Sequence, residues 1–189
     1  MMQSLKNRLS ISGSSLIFLA LLLLVLPFRW ILAALLAAAL HELGHYIAIR
    51  LCGGQVRDLT ILQSGAALQT GEMSREKELF CTIAGPLCGS LLIPLVRFAP
   101  RLAICASIQT LYNLLPIYPL DGGRALRCVT AMWLSPNIAK KLCAWAENIF
   151  LAGIAVIGLY ATFGIHLGIL PLLLCAVLIG KVVNTTCKE

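Results

Sequence analysis

The chain has 189 residues, 59% of them hydrophobic and only 12% charged. Soluble domains carry about 45–50% apolar and about 25% charged residues, so too few polar side chains exist here to coat a water-facing globule. The formal net charge of +7 comes from basic residues scattered between apolar runs; that pattern reads as membrane topology and headgroup contact, and argues against nucleic acid as a partner.

A bilayer core takes roughly 17–25 apolar residues per helix, and six segments approach this, at about 11–28, 30–51, 77–98, 101–116, 138–162 and 165–183. The first follows Lys6 and Arg8 and resembles a signal peptide, but Phe28-Arg29-Trp30 stands where a small-x-small cleavage site would be. It is read as an uncleaved span. The fourth is short and runs into Pro116-Ile117-Tyr118-Pro119, with a further helix expected at about 123–134. The expected fold class is an all-α membrane protein of about six transmembrane helices, forming a single transmembrane domain over residues 1–189.

Charge placement supports that count. With the N-terminus cytoplasmic, twelve of the fifteen basic residues fall on the cytoplasmic side, and only Arg29, Arg97 and Arg101 fall opposite. This is the asymmetry expected of cytoplasmic loops, so a multi-pass protein with both termini cytoplasmic is expected. Between the second and third spans, Val56, Leu59, Thr60, Ile61 and Leu62 give β character and the flanking glycines suggest turns. A short membrane-edge β-hairpin is expected there, the alternative being an ordinary amphipathic loop. Such a hairpin would suit pairing with an extended substrate segment. The eight cysteines include no C-x-x-C pair and read as small hydrophobes.

The second span contains His41-Glu42-Leu43-Gly44-His45. Histidines at i and i+4 lie on one helical face, a spacing that lets both imidazoles reach one zinc ion. Glu42 follows the first histidine, placed to take a proton from water at that metal. Inside an apolar span such groups are costly unless partnered, and they usually mark function. The bland alternative, polar residues joining helices, needs one such residue and not three in ligand order.

A catalytic zinc site normally takes three protein ligands. Of the acidic residues other than Glu42, only Asp121 and Glu147 sit near apolar surroundings away from the charged connections and the terminus. Asp121 follows a stretch broken by Pro116 and Pro119 and precedes Gly122-Gly123, which would allow a tight turn. A helix break at membrane depth is tolerated where it lines a cavity or is buried in protein. From there Asp121 could reach a metal, or merely cap the next helix. Glu147 is the rival ligand, though an ion pair with an Arg or Lys is its more ordinary role.

At these residues the sequence resembles the site-2 protease family of intramembrane zinc metalloproteases. His41-Glu42-Leu43-Gly44-His45 matches the family's zinc helix. Asn113-x-x-Pro116-x-x-Pro119-Leu120-Asp121-Gly122-Gly123 matches its second signature, and Ala84-Gly85-Pro86-Leu87 matches a Gly-Pro element. Position 88 departs from the pattern, with Cys88 where many members carry Asn. The resemblance implies one zinc ion held by His41, His45 and Asp121, Glu42 as catalytic base, and Asn113 as a holder of substrate backbone or oxyanion. The spans resemble the sporulation-type subgroup, implying a bacterial plasma-membrane enzyme that cleaves membrane-embedded or membrane-associated proteins, such as a sigma-factor precursor. Its partners would be the lipid bilayer, a membrane protein substrate and a regulatory membrane protein. No appended soluble regulatory domain is expected. The competing classes are a transporter, which would show more ionisable groups along a path and an internal repeat, and a non-catalytic membrane protein of the same fold.

Overall fold

A computed structural model describes residues 9–11, 27–54, 56–62, 65–70, 73–165, 168 and 175–176. The chain forms two compact units, Met1–Tyr112 and Asn113–Glu189.

In the first unit, helix α1 spans Phe28–Leu51. At 1.5 Å per residue its 24 residues cover about 36 Å, enough for a hydrocarbon core of about 30 Å. Its end is written in the sequence. Gly53 takes φ +78°, its N–H donates to the Arg50 carbonyl at 3.1 Å, and the Gly54 N–H donates to the Ile49 carbonyl at 2.9 Å. These two bonds are a Schellman cap, in which a left-handed glycine satisfies the last carbonyls of the helix.

Helix α2 spans Arg75–Ser90, with Glu76 and Glu78 in its first turn, where acidic groups oppose the positive end of the helix dipole. A 3₁₀ turn, Ile93–Arg97, follows. Lys77 Nζ donates to the Cys52 carbonyl at 3.2 Å, joining the start of α2 to the end of α1. Ala48, Ile49 and Cys81 form a buried cluster between the two helices, with Cys52, Met73 and Ala84 packed around it. The backbones approach closely at Gly44, where a Cβ would lie 2.7 Å from both the Ala84 carbonyl oxygen and Cys88 Cβ. Glycine permits that approach, as at many helix contacts in membranes. Helix α3 spans Pro100–Asn113, where the first unit gives way to the second.

The connection from α1 to α2 contains two antiparallel strands, β2 (Val56–Leu62) and β3 (Gly65–Thr70), with Leu59 opposite Leu68 and Ile61 opposite Ala66. A short strand β1, Leu9–Ile11, pairs in parallel with Leu59–Ile61. Because β2 lies between the other two, β3 offers an unpaired edge among the described residues.

In the second unit a loop containing a cis Tyr118–Pro119 peptide leads to α4, Asp121–Trp133. Helix α5, Pro136–Leu159, starts with proline in its first turn, where the missing N–H costs nothing. A wider turn, Tyr160–Gly164, extends it. Cys128 and Thr130 of α4 and Ala139 and Cys143 of α5 are buried. Thr130 Oγ1 donates back to the Leu126 carbonyl at 2.8 Å and lies 3.4 Å from Cys143 Sγ.

Among the described residues three helices are long and apolar enough to cross a membrane: Phe28–Leu51, Arg75–Arg97 and Pro136–Gly164. The expected count of six is not reached among the described residues. The first and sixth expected spans lie outside the described residues. The fourth is corrected: α3 has 14 residues, about 21 Å of helix, because it begins at Pro100 and stops at Asn113, before Pro116. Many leucines and isoleucines of the long helices stay exposed, among them Leu32, Leu35, Leu36, Leu43 and Ile47 on α1. Lipid covers such a surface where water would not.

Candidate metal centre

Helix α1 places His41 and His45 one turn apart, and both are buried, at 2% and 9% exposure. Their Nε2 atoms lie 3.2 Å apart, with the rings edge to face at a centroid distance of 4.9 Å. His45 Nδ1 lies 2.8 Å from the backbone carbonyl oxygen of Cys81. A carbonyl only accepts, so Nδ1 donates this hydrogen bond, which selects the tautomer whose Nε2 carries the lone pair when the ring is neutral. A ring nitrogen tied to a backbone carbonyl, with the other left for a cation, is the arrangement that orients metal-binding histidines.

The room for these rings comes from α2. A Cβ on Gly85 would fall inside the His45 imidazole, 2.5 Å from Cε1. A Cβ on Gly89 would lie 2.5 Å from Thr110 Oγ1 and 3.8 Å from His41 Nδ1. Gly85 therefore leaves the space that the His45 ring takes, and Gly89 leaves room for Thr110 Oγ1 beside His41. Sequence reading noticed Gly85 only as part of a Gly-Pro element and missed Gly44, Gly89 and Thr110. The signal was present as a G-x-x-x-G spacing in an apolar stretch, the pattern of close helix packing.

Glu42 is half-buried beside His41 on α1, and Asn113, half-buried, is the last residue of α3. Cys88, the departure from the family pattern, sits at the tight crossing opposite Gly44.

In the second unit Asp121 is half-buried and is the first residue of α4. The preceding residue, Leu120, is buried at 4% and Ile117 at 0%, and the Leu120 N–H donates to the Ile117 carbonyl at 2.9 Å. Gly122 and Gly123 do not supply the tight turn expected of them. They lie inside the first turn of α4, where a Cβ would meet the Leu115 carbonyl oxygen or the Tyr118 nitrogen, each at 2.5 Å. Their role is close approach of the loop to the helix. Glu147, the rival ligand, is engaged otherwise: its Oε1 accepts from the Tyr118 N–H and pairs with Arg127 Nη2, each at 3.3 Å.

By donor chemistry the buried His41 and His45 of the first unit and the half-buried Asp121 of the second are each of metal-ligand type. Two imidazoles and one carboxylate are a donor set that suits zinc, with a fourth position for water or substrate.

The apolar, membrane-length helices, one of them carrying the buried histidine pair, mark an integral membrane protein. Residues 15–115 match the model of the Peptidase M50B-like family, and the chain belongs to that family. It is 28% identical over 128 residues to the zinc metalloprotease MJ0392 of Methanocaldococcus jannaschii, a match covering 56% of this chain and 38% of that protein's length. The structure is also similar to the site-2 protease from Methanocaldococcus jannaschii, with a TM-score of 0.65 and 21% identity over 87% of this chain and 86% of the other. At that identity the likeness concerns the fold.

Proposed function

We propose that this chain is an intramembrane zinc metalloendopeptidase that hydrolyses peptide bonds of membrane-embedded or membrane-associated proteins. The observation that carries the reading is the buried His41–His45 pair, with Nε2 atoms 3.2 Å apart and His45 oriented by the Cys81 carbonyl. His41, His45 and Asp121 would hold one zinc ion, which when bound supplies Lewis acidity and an acidified water.

Glu42 takes the proton of the attacking water and returns it to the leaving amine. Asn113 holds the substrate backbone or the developing oxyanion. The substrate must be locally extended before attack, since a helix keeps its carbonyls in hydrogen bonds. Strand addition would use an outer strand such as β3, because β2 is already flanked by β1 and β3. The finer reading is a sporulation-type enzyme of a bacterial plasma membrane, multi-pass with both termini cytoplasmic, with a sigma-factor precursor as substrate and a membrane protein as regulator.

The test is co-expression of candidate membrane substrates with wild type and with Glu42→Gln, together with zinc content of the purified proteins. Glu42→Gln is expected to keep zinc and to lose turnover by about 10²–10⁴-fold, the usual contribution of a general base. Equal cleavage by both proteins rejects the mechanism. Zinc in both with cleavage in neither, across the substrate set, points to a non-catalytic relative.

A further inference from the structure

Glu147 lies three turns into α5, a helix of mostly apolar residues, and is buried at 9% exposure. A carboxylate there costs several kcal/mol unless it is paired and hydrogen-bonded. Its partners belong to one place. Oε1 accepts from the backbone N–H of Tyr118 and from Arg127 Nη2, each at 3.3 Å. The Arg127 guanidinium in turn stacks on the Tyr118 ring, 3.8 Å from its centroid. Tyr118 is thus gripped at its backbone by Glu147 and at its ring by Arg127, three residues before Asp121.

An ion pair serving only to join α4 and α5 would have no need of a loop amide. Here the same oxygen satisfies a backbone donor outside any helix, in the stretch that leads into α4. Pro119, with its fixed φ, and Leu120, buried at 4%, separate Tyr118 from Asp121 and leave little slack between them. On the other side Gly122 and Gly123 let the loop lie against the first turn of α4.

We propose that Glu147 and Arg127 are positioning residues, a clamp on Tyr118 that sets where the Asp121 carboxylate is presented. The proposal rests on the reading of Asp121 as a metal ligand. Groups that orient metal ligands through a second layer of contacts typically contribute about 10–100-fold to metal affinity.

The experiment measures zinc affinity of the full-length protein in detergent, and the visible absorption of the cobalt-substituted form, which reports ligand geometry. The variants are Glu147→Ala, Glu147→Gln, Arg127→Met, Asp121→Ala and the Glu147→Ala/Asp121→Ala pair. Glu147→Ala is expected to lower zinc affinity about 10-fold or more and to shift the cobalt spectrum. Glu147→Gln, whose amide oxygen still accepts from Tyr118, is expected to lose less. With Asp121 already removed, Glu147→Ala is expected to have no further effect. Full loss with Asp121→Ala but none with Glu147→Gln, Glu147→Ala or Arg127→Met overturns the clamp alone. An equal loss from Glu147→Ala in both backgrounds also overturns it, as a general weakening of the fold. Unchanged affinity in Asp121→Ala removes the ligand reading and the clamp with it. If Glu147→Ala does not fold, Arg127→Met, at a position with a third of its side chain exposed, and Glu147→Gln carry the same decision.

Discussion

Gly85 of α2 faces the imidazole of His45 so closely that any side chain there would occupy the ring's own space, 2.5 Å from Cε1. The ring cannot yield by rotating, because its Nδ1 is held by the Cys81 carbonyl at 2.8 Å. Gly85→Ala is therefore expected to displace His45 and to lower zinc affinity on the order of 10–100-fold, as loss of ligand orientation does. Gly153→Ala in α5 is the control, since a Cβ there meets nothing within 4 Å. Zinc titration of the two purified variants checks this; matching affinities would show that the space left by Gly85 does not orient the ring.

The Gly44 crossing makes a separate demand, on stability. A Cβ at position 44 would lie 2.7 Å from the Ala84 carbonyl oxygen and from Cys88 Cβ, and backbone cannot move aside as a side-chain tip can. Gly44→Ala is expected to destabilise the first unit by about 1–3 kcal/mol, the usual cost of overpacking. Thermal unfolding in detergent measures it. Retained stability would mean that α1 and α2 separate without penalty.

What the sequence made legible follows the range of the interactions. The spacing of His41 and His45 is a property of one helix, so the pair could be placed before any tertiary contact was known. The end of α1 was legible for the same reason, since Gly53-Gly54 caps it through bonds to Arg50 and Ile49. The fourth span was misjudged because Leu114 and Leu115 extend its apolar run. Pro116 disfavours helix at the residue before it, and α3 stops at Asn113. The roles of Gly85, Gly89 and Gly123 depend on what lies opposite them, which composition and periodicity do not encode. Glu147 shows the same limit: an ion pair was foreseeable, its sharing with the Tyr118 amide was not.

Metal removal supplies the third prediction. A ligand that binds only the folded state stabilises it by about 2.7 kcal/mol when present at 100 times its Kd. Chelation of the wild type is expected to lower the unfolding temperature and abolish proteolysis, and zinc is expected to restore both. His45→Ala removes a buried ring and one of the paired nitrogens, so its unfolding temperature is expected to be insensitive to zinc and chelator. A zinc-dependent shift that survives in His45→Ala would place the metal elsewhere.

The last prediction separates helix stability from loop position in α4. A Cβ on Gly123 would lie 2.5 Å from the Tyr118 nitrogen, whose N–H donates to Glu147 Oε1. Gly123→Ala improves helix propensity by about 1 kcal/mol, yet it must push Tyr118 away from α4 and disturb that hydrogen bond. Ala125→Gly, two residues further along the same helix, does the opposite, weakening the helix by about 1 kcal/mol without adding an atom beside the loop. Gly123→Ala is expected to lose zinc affinity by about 10-fold or more, whereas Ala125→Gly is expected to unfold at lower temperature with its zinc affinity intact. Equal zinc affinities in the two variants would show that the loop ahead of Asp121 does not need the space the glycine leaves. A loss confined to Gly123→Ala would show that it does, because only that change adds volume where the loop backbone meets the helix.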